Sequence, residues 1–345
     1  KKNIIIFELF SLFTSLSWIL FMQFQTDFDI CFSVLENSGI RADLFLSSLL
    51  NISRSRIQKN IALENLSVNG KVIKKNSYSR FQKGMVVEFE IEPVEQICAE
   101  PEKMDLDIVF ENDLFLIVNK PAGLVVHPGT GNYCSTLVNG IIHHLNWSGD
   151  RLKEGDPVRP GLVHRIDKNT SGLLVIAKTQ ASFEELSLKM SVHDITREYV
   201  CIVRGHLKQN KGTIDTFHGR DPSNRLRFSP NVKNGKRAVT HYEITAEYKY
   251  CSLLKVTLET GRTHQIRMHM SHIGHPVAND LLYGGLVKTD DPVLNKKLNS
   301  CPRQLLHAKT LGFDLCGQNY LFEHEIADDM KGIITYLESI SGGEK

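Results

Sequence analysis

No two of the seven cysteines stand as a Cys-x-x-Cys pair: Cys31, Cys98, Cys134, Cys201, Cys251, Cys301 and Cys316 are scattered singly along the chain. An odd, dispersed set argues against a disulfide framework and a zinc ribbon and fits a reducing compartment, so a cytoplasmic location is expected. His-Glu-x-x-His is absent as well. No carboxylate lies at ligand spacing within the cluster His264, His269, His272 and His275, and His143-His144 does not supply one, so no catalytic metal is expected. A Gly-x-Ser-x-Gly elbow is missing, which argues against Ser171 as a hydrolase nucleophile. There is no internal repeat and no low-complexity tract.

What is present is ordinary in bulk and informative in detail. The 345 residues exceed the usual size of one domain, so two are expected. Apolar residues make up 41% and charged ones 23%, the balance of a soluble globular protein with ample core. A net charge of +2 says little, but its distribution says more. Residues 41–84 hold nine Lys/Arg against two Asp/Glu, residues 88–113 ten acidic against one basic, and residues 197–267 fourteen basic against six acidic. Two basic regions around an acidic stretch suggest a polyanion held at two places. Charged faces of this kind are as often merely solvated.

Behind Lys1-Lys2, residues 3–22 are almost continuously apolar, with the length of a signal peptide or one membrane span. No small-residue cleavage site follows, the next stretch begins Gln23-Phe24-Gln25, and Met22 stands where a soluble domain could begin. Residues 1–26 are therefore read as an apolar extension, with 1–21 mis-assigned and Met22 the true start. No membrane partner is expected.

Residues 27–92 read as one small α/β unit. Leu44-Phe45 and Leu49-Leu50 recur at helical spacing, and Ser53 offers an N-cap to a second helix with Ile57 and Ile61 on its inner face. Arg54, Arg56 and Lys59 fall off that stripe, which leaves them for phosphates. Asn69-Gly70 between β-formers signals a tight hairpin. Gly84 marks another turn, after which Val87, Phe89 and Ile91 alternate with Glu88 and Glu90 as a strand.

Residues 93–107, with Pro93, Pro101, many acids and no apolar period, read as a linker. A larger domain follows over 108–345. It opens with a hairpin of 108–110 and 114–118 and continues with strands at 172–177, 199–204, 239–247 and 251–259. Helices are expected at 135–145, 180–192, 264–273 and 328–340. Short connections and irregularly interspersed helices predict an α+β fold with a mainly antiparallel mixed sheet.

The sharpest segment is 161–178, where a buried apolar strand follows a polar turn and Gly172 can take a positive φ. If 163–167 is extended, Arg165 and Asp167 point to one face and Ile166 to the other, which sets a cation and a carboxylate at the rim of an apolar wall. An Asp in a turn more often bonds backbone amides, so the pattern alone leaves both readings open.

Three motifs in order change that balance. His164-Arg165-Ile166-Asp167-Lys168-Asn169-Thr170-Ser171-Gly172 resembles the catalytic motif of the RluA/RluD family of RNA pseudouridine synthases, with Ile166 where Leu is commoner. Asn119-Lys120-Pro121-Ala122-Gly123-Leu124-Val125-Val126-His127-Pro128-Gly129 looks like the upstream motif. Thr260-Gly261-Arg262-Thr263-His264-Gln265-Ile266-Arg267-Met268-His269 looks like the downstream one. Lesser matches are Thr196-Arg197-Glu198-Tyr199, Gly274-His275-Pro276, Tyr283-Gly284-Gly285 and Leu306-His307-Ala308. The chain departs from the family at Asn279, ahead of Asp280, where Gly is usual. In the N-terminal unit Arg41-Ala42-Asp43-Leu44-Phe45-Leu46, Ser53-Arg54-Ser55-Arg56 and Val68-Asn69-Gly70 resemble the S4 RNA-binding domain, with a departure over 60–67.

The resemblance implies isomerisation of uridine in RNA, which breaks C1′–N1 and forms C1′–C5 without oxidant, water, cofactor or metal. It implies Asp167 as the ionised carboxylate, whether it attacks C1′, attacks C6 or assists loss of the 2′ proton. Arg267 is implied as the cation that keeps Asp167 charged, and Tyr199 as a residue set against the target base, able to stack and act as a base. Arg165 looks like the residue that fills the space of a flipped-out nucleotide. Arg220, Arg225, Arg227, Lys233, Lys236 and Arg237 form a basic segment suited to phosphates, and Arg262 joins the RNA-binding candidates. His164 stays unassigned. The S4-like unit and residues 106–112 look most like the RluD branch, which implies the helix 69 stem-loop of 23S ribosomal RNA, free or in precursor particles, and a monomeric enzyme. Another rRNA or tRNA uridine, or an S4-type RNA-binding protein without catalysis, are the alternatives.

Overall fold

The computed structural model describes residues 5–6, 22–23, 29–34, 40–50, 52–73, 80–91, 99–129, 131–147 and 159–341. The expected extension over 1–21 and residues 93–98 of the expected linker lie outside the described residues, except that β1, Ile5–Ile6, pairs antiparallel with β2, Met22–Gln23. Among the described residues no helix is long and apolar enough to cross a membrane. The chain divides into two units, Lys1–Glu95 and Gln96–Lys345.

The first unit holds β3, Asp29–Ser33, α1, Ala42–Leu50, α2, Arg54–Ala62, β4, Leu66–Val68, β5, Lys71–Val72, and β6, Val86–Glu90. Its sheet runs β3-β6-β4-β5, antiparallel throughout. Phe32, Phe45 and Phe81 meet at 5.2–6.1 Å between ring centroids and pack with Leu46, Ile57, Val87 and Phe89. Asn69 and Gly70 both have positive φ, 50° and 73°, as a two-residue hairpin between β4 and β5 requires. Ser53 occupies the N-cap position of α2 without capping it; its hydroxyl pairs with that of Ser55 at 3.2 Å.

The second unit is built on one large sheet. Its strands are β7, Ile108–Glu111, β8, Phe115–Lys120, β9, Ser171–Ala177, β10, Thr196–Arg204, β11, Lys211–Arg220, β12, Phe228–Ser229, β13, Lys236–Tyr248, β14, Cys251–Leu258, β15, Leu306–Leu315, and β16, Gln318–Glu323. The order is β12-β11-β13-β14-β10-β15-β9-β8-β7, with β16 on β15. All pairings are antiparallel except β15 with β9, so the fold is the mainly antiparallel α+β arrangement expected. The helices are α3, Leu137–His144, α4, Gln180–Ser191, α5, Gln265–His272, α6, Pro292–Asn299, and α7, Asp328–Ser341.

Both faces of this sheet are covered, which explains why β9 is apolar without alternation. Leu174 and Ile176 join Leu116, Val118, Leu137 and Ile141 on one side, while Leu173, Val175 and Ala177 join Phe115, Ile117 and Leu186 on the other. The same two-sided burial hid β15 from periodicity. The inward positions of β11 include Ile214 and His218, too mixed for a clear period of two. For α6 the signal was present but short: Asp291 caps through Val293 and Leu294 amides, with Pro292 in the first turn.

Residues 99–107, expected as linker, instead lie against α3. Ala99 is buried in the main core, Asn139 Nδ2 donates to Glu100 O at 2.7 Å, and Ser135 donates its amide and hydroxyl to the Glu102 carboxylate. The acids that argued for a solvated connector serve here as acceptors for the entry to α3.

Gly172 sits where the parallel pair closes, opposite Ala308, with φ 116°. A Cβ there would lie 2.2 Å from the Ala308 carbonyl oxygen. Gly172→Ala is therefore expected to pry β9 from β15 and cost about 3 kcal/mol or more, a fall in melting temperature of roughly 6–12 °C in a thermal melt.

Candidate active site

Asp167 lies in the loop that enters β9. The loop has no regular secondary structure over 163–167, with Ile166 buried, Arg165 exposed and Asp167 half-buried. Two devices fix it. His164 Nε2 accepts the Val175 amide proton at 3.1 Å, and burial lowers its imidazole to about 3, so it stays neutral and structural. Lys120, fully buried at the end of β8, donates to Pro121 O, Leu124 O and Lys168 O at 2.7–2.9 Å. Burial pulls this ammonium down to about 7, opposed by the charge of Asp167. The Gly123 amide also donates to Lys168 O, so the upstream motif grips the residue next to Asp167 from two sides.

Arg267 comes from the first turn of α5. Gln265 secures that turn, accepting from Thr260 Oγ1 and the Arg262 amide and donating to Val239 O and Thr240 Oγ1. Arg267 Nη1 donates to Asp167 Oδ2 at 2.8 Å. Its other edge forks onto Asp280, Nε to Oδ2 at 2.6 Å and Nη2 to Oδ1 at 3.0 Å. Burial alone would lower Arg267, but the hydrogen bonds and charges of Asp280 and Asp167 outweigh it and raise it. A guanidinium between two carboxylates is charged at every relevant pH.

Asp280, 1% exposed, was not singled out by sequence, although the Asn279 departure pointed at its neighbour. Asn279 has φ 59°, the left-handed conformation that Gly adopts freely and Asn tolerates. Its Nδ2 donates to Leu298 O and Cys301 O at the end of α6. The substitution thus keeps the turn and adds an anchor.

Tyr199 projects from β10 into the same pocket, 7% exposed, and burial pushes its phenol up, so it enters as a neutral hydroxyl. The pocket has a volume of about 500 Å³ and is lined by Arg165, Asp167, Arg197, Tyr199, Arg262 and Arg267 among others. Four arginines and one carboxylate share its lining, so the charge of the cavity wall is predominantly positive. His264 Nε2 stands 4.0 Å from Asp167 Oδ1, and its Nδ1 meets the Tyr283 hydroxyl at 3.2 Å. Among the described residues no three His, Cys, Asp or Glu converge to hold a metal.

Arg165 is held by His127, a residue of the upstream motif given no role from sequence. His127 Nδ1 lies 2.9 Å from Pro128 O, which assigns its proton there and leaves Nε2 to accept from Arg165 Nη1 at 3.0 Å. Of the other RNA-binding candidates, Arg262 lines the pocket. Arg227 lies over the Tyr283 ring at 5.1 Å and Arg220 over Phe228 at 4.3 Å. Arg225 and Lys233 are exposed in the connection from β11 to β13, and Lys236 is exposed at the start of β13. Arg237 is committed to Asp215 through Nε and Nη2 at 2.7–3.1 Å. In the first unit, Lys59 is exposed and Arg56 half-buried, while Arg54 Nε is bound to Asp43 Oδ2 at 2.8 Å. Burial would raise Asp43, but Arg54, Gln58 and Arg41 together bring it down to about 2.

Residues 114–272 match the family model for RNA pseudouridylate synthase. Over 305 residues the chain is 38% identical to an uncharacterized RNA pseudouridine synthase of Bacillus subtilis, YlyB, covering 88% of this chain and 95% of that protein. Over 306 residues it is 39% identical to ribosomal large subunit pseudouridine synthase D of Zymomonas mobilis, again 88% and 95% of the two chains. Human RNA pseudouridylate synthase domain containing 4 shares the fold, with a TM-score of 0.53 and 20% identity over 67% of this chain and 92% of that one. Likeness over nearly the full length of such relatives leaves one conclusion: the chain belongs to the RNA pseudouridylate synthase family and is an RNA pseudouridine synthase.

Proposed function

We propose that this enzyme converts uridines of large-subunit ribosomal RNA, in the helix 69 stem-loop of 23S rRNA, with Asp167 as its nucleophile. The reaction detaches uracil at N1, turns it within the pocket and rejoins it at C5, where the C5 hydrogen leaves to solvent as a proton and N1 takes one up, so no heavy atom is lost. A uridine within a stem must leave the stack first, at a cost of a few kcal/mol. Arg165, exposed at the pocket's rim, takes the vacated place, and Arg262 and the β11–β13 connection hold neighbouring phosphates. Tyr199 stands against the extruded base. Arg267 holds and aims the Asp167 carboxylate through a charge-assisted hydrogen bond at 2.8 Å. The first unit, with Lys59 and Arg56 on α2, adds an S4-like contact to RNA.

One observation carries the chemical part: a carboxylate paired at 2.8 Å with a buried arginine, in a pocket of about 500 Å³ whose wall also carries Arg165, Arg197 and Arg262. The ribosomal target is supported by the relative from Zymomonas mobilis, named for the large subunit. The test is pseudouridine mapping of cellular RNA from a strain lacking the gene. Pseudouridine is expected to vanish from helix 69 and return with the wild-type gene. Loss from a tRNA with 23S rRNA unchanged would move the target elsewhere.

A further inference from the structure

Among the described residues three arginines are buried, Arg197, Arg267 and Arg303, each 7% exposed. Arg267 holds Asp167 and Asp280, and Arg303 holds Asp329. Arg197 holds no carboxylate. Nη2 donates to Glu259 O at 3.1 Å, and Nε, sealed from solvent, meets no acceptor. One carbonyl bond does not offset the desolvation of a guanidinium. The chain nevertheless makes room for it. A Cβ on Gly261, in the downstream motif, would come within 2.5 Å of Arg197 Nη1.

The position of this unanswered charge says what it awaits. Arg197 lies two residues before Tyr199 on β10, so both project from one face of the strand, roughly 6–7 Å apart. Both line the pocket, with Arg262 beside Gly261. We infer that Arg197 is the anchor for a backbone phosphate adjoining the extruded uridine, which supplies the counter-ion the protein withholds. This rests on the pocket being the one that receives the target nucleotide. A phosphodiester brings a full negative charge and a free oxygen for Nη1, the group beside Gly261, and the spacing from the tyrosine ring sets it beside the base rather than upon it.

The test uses full-length Arg197→Met and a stem-loop RNA that the wild-type enzyme converts, chosen by the mapping above. Whether wild type converts a given stem-loop speaks to the target; the comparison of variants speaks to Arg197. The slope of log Kd against log KCl concentration is expected to fall by about 0.7, the share of one single-stranded phosphate, and affinity to drop roughly tenfold, with the loss in KM rather than kcat. The melting temperature should hold or rise, since an unpaired buried charge is gone. An unchanged salt slope overturns the proposal. So does a loss confined to kcat, which would assign Arg197 to the detached uracil instead. Should the methionine variant not fold, Arg197→Lys keeps the charge and must keep the wild-type slope; a lowered slope there refutes the anchor.

Discussion

Asp167→Asn is expected to abolish pseudouridine formation, lowering kcat by at least about 10⁴-fold, while the protein folds and binds RNA as before. An amide cannot supply the negative charge that attack on the sugar or the base, or assistance to loss of the 2′ proton, would require. The fold survives because Arg267 keeps its two-pronged bond to Asp280, so no buried cation is stranded. Affinity survives because the pocket loses its one carboxylate and keeps its four arginines. Tritium release from C5-labelled uridine, under single-turnover conditions, reads the chemistry, and filter binding reads the affinity. Turnover above about 1% of wild type would remove Asp167 from the nucleophile's role.

Asp280→Asn is expected to be costly in two ways at once. Arg267 would lose its stronger partner in a buried setting, worth about 3–5 kcal/mol, or roughly 6–20 °C in melting temperature. The guanidinium would also be free to turn, and with it the carboxylate it aims. A displacement near 1 Å at the reacting group costs about 10²-fold in rate. Asp280 touches no pocket surface, so KM should hardly move when kinetics are taken well below the melting point of both proteins. A stability loss with kcat intact would reduce Asp280 to a structural partner.

Residues whose role is carried by a local run were legible. The motif around Asp167, the helix that presents Arg267 and the strand behind Gly172 all emerged from spacing or likeness. Asp280, His127 and Arg197 did not, because their meaning lies in what they meet in space. Asp280 matters through a side chain 13 residues away, and Arg165 through one 38 residues away. The same limit worked in reverse for Arg54 and Arg237. Off an apolar stripe or in a basic run they look available for phosphate, yet Asp43 and Asp215 occupy them. Strands β15 and β16 were missed for a related reason: β15 is buried on both faces, and β16 is an exposed edge whose apolar residues serve one neighbour.

The single parallel pairing has a consequence for how the enzyme comes into being. Ala308, which seats Gly172 and so the loop of Asp167, is translated roughly 140 residues after that loop, some 7–28 s later at about 5–20 residues per second. Through that interval the loop of Asp167 has its contacts with the upstream motif and β8 but lacks its seat on β15. The seat of that loop is completed only once β15 has cleared the exit tunnel, late in the making of the chain.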